Sequence, residues 1–287
     1  MFDRQRLGLI SLDYDSPREA LYAAHERGFG HLEVYVDAVE DREVRSLATW
    51  ADHHSIRLTT ISTLSKLASA EDDYPQHAAA VARSIRLAGE LGVPRAGFMF
   101  GGTGHLDRRA ARDRFVERVR PIAEQAARVG VQLVIENVFT RTAGVDLESV
   151  DDIIKLLRVV PPGTLALTFD PGNLMIGGEE PYPYAVTRLG SYISVVHLKD
   201  VTRHVPERHG PDSSCRPLIE ARRGRSITLP LGQGALNMDG LVRAVTNDLP
   251  HVPLLLEPFR VGRSREEWID RSLAWLDELS EGKERDG

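Results

Sequence analysis

Cysteine is nearly missing from this 287-residue chain, which holds only Cys215. A single thiol excludes an intramolecular disulfide framework and fits a reducing compartment. Cys215 lies in a polar Pro/Ser-rich stretch without a partner base, so it reads as incidental. Long apolar runs are missing as well, and none approaches the roughly 18 residues that a membrane span needs. The opening MFDRQRLGLISLDYD has no apolar core of the signal-peptide kind, so a cytoplasmic setting is expected. There is no basic excess: 36 Lys and Arg stand against 42 Asp and Glu, for a net charge of −6. A nucleic-acid domain usually shows a basic face, so no nucleic-acid partner is expected. The one local cluster of cations, Arg222, Arg223 and Arg225, reads as a solvated loop.

What is present is a rhythm. Eight short apolar runs recur along the chain: LGLISL (7–12), HLEVYV (31–36), IRLTTIS (56–62), RAGFMF (95–100), VQLVIENV (131–138), LALTFD (165–170), ISVVHLKD (193–200) and VPLLLEPF (252–259). Their length and their β-branched and aromatic content favour strands over helices. Helical patterns fill the intervals. Ser16-Pro17 supplies an N-cap and a first-turn proline for the first, which Gly28 closes. Residues 74–91 stop at Gly92, and 108–129 stop at Gly130. Ser264 and Glu267 have capping-box spacing ahead of Trp268. Segments 147–159 and 238–249 complete the set, with a short helix near 184–189.

Strand and helix alternate with no linker or break in composition, which predicts one α/β domain over 1–287, a single (β/α)8 TIM barrel. An open doubly wound sheet would be expected to carry a glycine-rich first turn, and SLDYDSP lacks one.

In such a barrel chemistry gathers at the C-terminal ends of the strands. Strand 5 ends in Glu136-Asn137, strand 6 in Asp170, strand 7 in His197, Lys199 and Asp200, and strand 8 in Glu257. One strand-end acid alone is explained by a salt bridge or a helix cap. Three carboxylates and an imidazole on consecutive strands are another matter, because packed carboxylates cannot all stay ionised without a cation. Three oxygens and one nitrogen suit a divalent ion such as Mn²⁺, Mg²⁺ or Co²⁺, with Mn²⁺ the first expectation.

The ordered set IEN (135–137), FDPGN (169–173), VHLKD (196–200) and LLEP (255–258), with LGQGALNMDGL (231–241), resembles the xylose isomerase-like barrels, specifically their sugar phosphate isomerase/epimerase branch. The resemblance spans essentially the whole chain. It implies that Glu136, Asp170, His197 and Glu257 bind one divalent metal and that Glu136 and Glu257 are the catalytic acid–base pair. By the same resemblance the metal grips adjacent carbonyl and hydroxyl oxygens of a small carbohydrate and stabilises an enediolate, giving an isomerase or epimerase of a sugar, keto-sugar or related polyol. Expulsion of a β-hydroxyl from the same intermediate would give the alternative, a dehydratase (lyase) of a keto-polyol such as an inosose or a dehydroshikimate-like acid. Relatives often form dimers or tetramers, so a homo-oligomer is left open.

Four further residues are candidate substrate contacts: Glu33, Asn173, Lys199 and Arg203. Glu33 has a paired core carboxylate as its alternative reading, and Lys199 has neutralisation of a neighbouring acid such as Asp200. The epimerases carry a glutamate where Thr142 stands and a histidine where Asn173 stands, and both departures fall in the substrate shell. The polar segment 203–231 is long for a loop and is expected to be a lid. GGTGH (101–105), with His105, reads as a turn rather than an anion cradle.

Overall fold

The computed structural model describes residues 2–101, 107–138, 149–160, 163, 165–209, 219–221, 224–258 and 265–282. Thr142, His105, Cys215, Arg222, Arg223, Ser264 and most of GGTGH lie outside them.

Eight parallel strands close into a barrel: β1 (Leu7–Ile10), β2 (His31–Tyr35), β3 (Arg57–Lys66), β4 (Arg95–Met99), β5 (Gln132–Glu136), β6 (Leu165–Phe169), β7 (Ile193–Leu198) and β11 (Leu254–Leu256). The closed order is β1-β11-β7-β6-β5-β4-β3-β2. Each expected run contributes one strand, and β1, β6 and β11 are buried throughout, as parallel strands covered by helices on one side and core on the other must be. Neighbouring registers bring the site-bearing residues level: Glu136 faces Thr168, and Leu255 faces His197.

Helices α1 (Pro17–Glu26), α2 (Asp41–His53), α3 (Tyr74–Leu91), α4 (Arg108–Arg128), α5 (Val150–Leu157), α6 (Pro171–Gly177), α7 (Val186–Leu189), α9 (Met238–Asp248) and α10 (Arg265–Ser280) accompany the barrel. The caps work as the sequence indicates at α1, where Ser16 accepts from the Glu19 amide, and α3 ends at Gly92 with φ +66°. α2 has no such signal, since the Glu40 side chain at its N-cap caps no helix amide. It is held instead by burying Val44, Leu47 and Ala51. Phe115 on α4 packs against Phe100, with ring centroids 5.0 Å apart, and fixes that helix over β4.

Pro171-Gly172 forms the first turn of α6, with Pro171 in the position where a missing N–H costs nothing. One expectation changes. Within 203–231, expected to be loop, a second sheet forms from β8 (Asp200–Arg203), β9 (Ile219–Ala221) and β10 (Gly224–Leu229), in the order β8-β10-β9, and α8 (Pro206–His209) follows β8. The alternating polar and apolar residues of Ser226-Ile227-Thr228-Leu229 are the local signal for this sheet, masked by the surrounding Arg and Pro content. Among the described residues, no helix is long and apolar enough to cross a membrane.

Candidate metal centre

Glu136, Asp170, His197 and Glu257 each offer a ligand atom, and these atoms all lie within 4.8 Å of one another. All four side chains are buried. They arrive from the ends of β5, β6, β7 and β11, which are consecutive in the barrel order, so the two glutamates flank the Asp170–His197 pair.

Asp170 shows how backbone and side chain share one position. As the N-cap of α6, its Oδ1 accepts the Asn173 amide at 2.9 Å, while Oδ2 meets Lys199 Nζ at 2.7 Å. Asn137 clamps the same residue through its main chain: its Nδ2 donates to the Asp170 carbonyl at 2.7 Å, and its Oδ1 accepts the Asp170 amide at 2.9 Å. The strand-to-helix corner is thereby fixed by the Asn137 clamp and the Oδ1 cap together, and Oδ2 is left to face the centre.

His197 is oriented from behind. Its Nε2 lies 2.8 Å from Glu33 Oε2, and Glu33 Oε1 accepts from Ser62 Oγ at 2.5 Å. Ser62 can reach inward because Gly97, on the adjacent strand, has no side chain; a Cβ there would stand 2.2 Å from Ser62 Oγ. The other ring nitrogen, Nδ1, is buried without a hydrogen bond, 3.6 Å from Glu257 Oε2 and 3.8 Å from Glu136 Oε1. Glu257 Oε2 is likewise buried with no hydrogen-bond partner.

Such orphaned atoms are costly in a protein interior. Here they turn toward each other in a pocket of three carboxylates and one imidazole, the donor set of a hard or borderline divalent cation. A histidine whose far nitrogen is held by a carboxylate is the usual support of a metal-ligating ring. The residues therefore fit a divalent ion.

The electrostatics show the same need. Burial pushes the Asp170 carboxyl up to about 8, with Glu257 and Glu136 adding to the rise and Lys199 opposing it. Burial would also raise Glu257, but Lys199 and His197 hold it below the usual carboxylate range. Burial works against charge on Lys199, yet Asp170, Glu257 and Glu136 hold its ammonium well above the ordinary value. His197 is raised too, with Glu33 and Glu136 overcoming burial.

The candidate substrate contacts fall in different places. Asn173 joins the centre, its Nδ2 donating to Glu136 Oε1 at 2.8 Å. Lys199 also joins it, bridging Asp170 and Glu257 at 2.7 and 2.8 Å. It does not neutralise Asp200, because successive residues of an extended chain point to opposite sides. Asp200 instead accepts the amides of Gly232 and Gly234 at 2.9 Å, and burial pushes its carboxyl up to about 6 against those donors. A Cβ at Gly234 would strike Asp200 Oδ1, so the glycine permits that approach. Both oxygens of Glu33 are taken by His197 and Ser62. Arg203 ends β8 as an exposed residue opposite Ser226.

Asn137, in the sequence only a strand-end neighbour of Glu136, is here the clamp on Asp170, and no sequence signal singles out Ser62 or Tyr35. Tyr35 follows Glu33 by two positions, hence on the same side of β2, and packs against Ile10, Val195 and Leu255. Burial raises its phenol, and so do Glu33, Glu136 and Glu257.

Comparison with known proteins gives this centre a context. Residues 21–279 match the family described as xylose isomerase-like TIM barrel. The chain belongs to that family. Among similar sequences, inosose dehydratase 2 of Bacillus cereus (strain ZK / E33L) is 29% identical over 110 residues, 38% of this chain and 36% of that protein. The chain thus aligns with about a third of that relative's length. Among solved structures of xylose isomerase-like barrels, a 3-keto-D-glucoside 4-epimerase from E. coli superposes with a TM-score of 0.73 at 13% identity, covering 95% of this chain and 99% of that one. The IOLI protein with a bound zinc atom gives a TM-score of 0.73 at 16% identity, covering 97% and 99%. At these identities the two structures speak for the fold.

Proposed function

We propose that the protein holds one divalent cation through Glu136, Asp170, His197 and Glu257 and acts as an isomerase or epimerase of a sugar, keto-sugar or related polyol. The observation that carries this reading is the convergence of those four buried donors within 4.8 Å, with His197 braced by Glu33. When bound, the ion supplies positive charge that acidifies a C–H beside a carbonyl and offsets the negative charge that develops on oxygen. Mn²⁺ suits the donor set best, and Mg²⁺ and Co²⁺ are accommodated by the same chemistry.

The acid–base work falls to Glu136 and Glu257, which approach from opposite ends of the row of four strands. One glutamate, as the carboxylate, removes the proton beside the carbonyl, and the other, as the carboxylic acid, delivers its own proton to the same carbon or to its neighbour, so the pair ends with its protonation exchanged. Asn173 keeps Glu136 aimed through its amide N–H, and Lys199 does the same for Glu257. Asn173 and Lys199 are placed to meet substrate oxygens beside those acids, Glu33 acts through His197, and Arg203 awaits the distal end of the substrate. In the described part of 203–231 the β8–β10–β9 sheet serves as the cover of the site, a role supported by the packing of Val201 and Ile219 on Ile176 of α6, the helix that Asp170 caps. The acidic chain, the expected cytoplasmic setting and the family suit a small carbohydrate rather than a nucleic acid as partner.

A second reading is dehydration of a keto-polyol. It is favoured by the Lys199 ammonium 2.8 Å from Glu257, a charged donor placed to hydrogen-bond a departing hydroxyl, and by the likeness to an inosose dehydratase. One experiment separates the two. A panel of ketoses and keto-cyclitols is incubated with the Mn²⁺-loaded protein in D₂O, and both deuterium at the carbon beside the carbonyl and ultraviolet absorbance are followed. Deuterated epimer or isomer without an enone band is the expected result. An enone with no epimer replaces the first reading with the second, and absence of any exchange removes both.

A further inference from the structure

At the opposite, N-terminal mouth of the barrel, a cavity of about 390 Å³ opens beside the first residues of three adjacent strands: His31 of β2, Arg57 of β3 and Arg95 of β4. His251 also lines it, and Asp52 is its only carboxylate. The volume falls in the range of small-molecule sites, roughly 300–1,000 Å³.

The charge in this cavity is unbalanced. Among the described residues, neither arginine has a carboxylate within ion-pair distance. Arg95 donates from Nε to Ser194 Oγ at 2.7 Å and from Nη1 to the Thr59 carbonyl at 3.4 Å, and its Nη2 makes no hydrogen bond to the described residues. The Arg57 guanidinium is exposed and makes no hydrogen bond to the described residues. His31 registers the field: burial lowers its pKa to about 4, and Arg57, Arg95 and Arg6 all press in the same direction. It stays neutral at physiological pH, with Nδ1 3.1 Å from Thr59 Oγ1. Cationic groups in a partly desolvated recess, with donors to spare, are what a phosphate group requires.

We propose that this mouth is a second binding site, separate from the metal centre, for a small phosphate-bearing anion. Arg57 and Arg95 supply the charge-assisted hydrogen bonds, and the imidazoles of His31 and His251 complete the polar wall. The phosphate group is the shared chemistry of two sources, free phosphate and a phosphorylated metabolite, and the cavity is wide enough for the second.

The test is calorimetric titration of the full-length protein with inorganic phosphate and, separately, with glucose 6-phosphate, at fixed ionic strength in chloride. Saturable 1:1 binding is expected, weakened about tenfold by Arg57→Gln, the scale of one lost charge-assisted hydrogen bond. Arg109→Gln, on the exposed face of α4, serves as the control and leaves binding unchanged. Because the exposed Arg57 guanidinium makes no hydrogen bond or ion pair among the described residues, its variant keeps the parental melting temperature in chloride. Whichever anion binds more tightly through Arg57 identifies the source. Saturable binding of neither anion, or binding that Arg57→Gln leaves intact, overturns the proposal.

Discussion

His197 Nε2 lies 2.8 Å from Glu33 Oε2, a contact that crosses the barrel interior between β7 and β2. It fixes which imidazole nitrogen faces the four-residue centre and makes Glu33 a positioning residue. Glu33→Gln removes the charge behind the ring while keeping its volume. Divalent affinity should fall about 10–100-fold, as for other carboxylates behind metal-bound histidines. Calorimetric titration with Mn²⁺ measures it, and circular dichroism should show an unchanged fold.

Lys199 makes a different prediction. Its ammonium bridges Asp170 and Glu257, so Lys199→Met leaves two buried carboxylates without their counter-charge. The metal-free protein should lose about 3–5 kcal/mol, the scale for breaking a buried ion pair. Mn²⁺ then supplies the missing charge, and the rise in melting temperature on adding it should exceed that of the parent protein. Scanning fluorimetry with EDTA and with Mn²⁺ checks both statements. A smaller Mn²⁺ response in the variant would show that Lys199 assists the cation rather than stands in for it.

Asn137 is predicted to matter for stability more than for chemistry. Asn137→Ala strands the buried Asp170 amide, while the Asp170 carbonyl keeps the Leu174 amide at 3.3 Å, so the cost should be about 1–3 kcal/mol. Urea unfolding should show a lower midpoint with an unchanged slope.

His31 sets a pH dependence. Its pKa is about 4 in the folded protein against 6.5 ordinarily. A depressed base binds fewer protons folded than unfolded, so its contribution is fully present above pH 6.5 and is lost as pH falls toward 4. His31→Asn should flatten the loss of thermal stability across that window. An identical acid limb in parent and variant would exclude His31 as its source.

Much of this was legible in the sequence because it is local. The eight strands announce themselves by apolar runs, and the Ser16-Pro17 start and Gly92 stop mark helix ends by backbone chemistry. The four candidate ligands sit at strand ends that any parallel barrel gathers on one rim. What escaped depends on closure of the barrel. Nothing near Glu33 in the chain announces His197, 164 positions away. Lys199 could be assigned to Asp200 by proximity in sequence, whereas alternation of the extended chain turns the two side chains apart. Helix α2 lacks a capping residue, and the β8–β10–β9 sheet is buried in a composition that reads as loop.

The central claim is that Glu136, Asp170, His197 and Glu257 share one divalent ion. Crystals soaked in Mn²⁺ and measured on either side of the manganese absorption edge test it most directly. One anomalous peak is predicted within about 2.0–2.3 Å of an oxygen from each carboxylate and of His197 Nδ1. A fully soaked crystal with no peak among these residues, or with its peak elsewhere, would contradict the account.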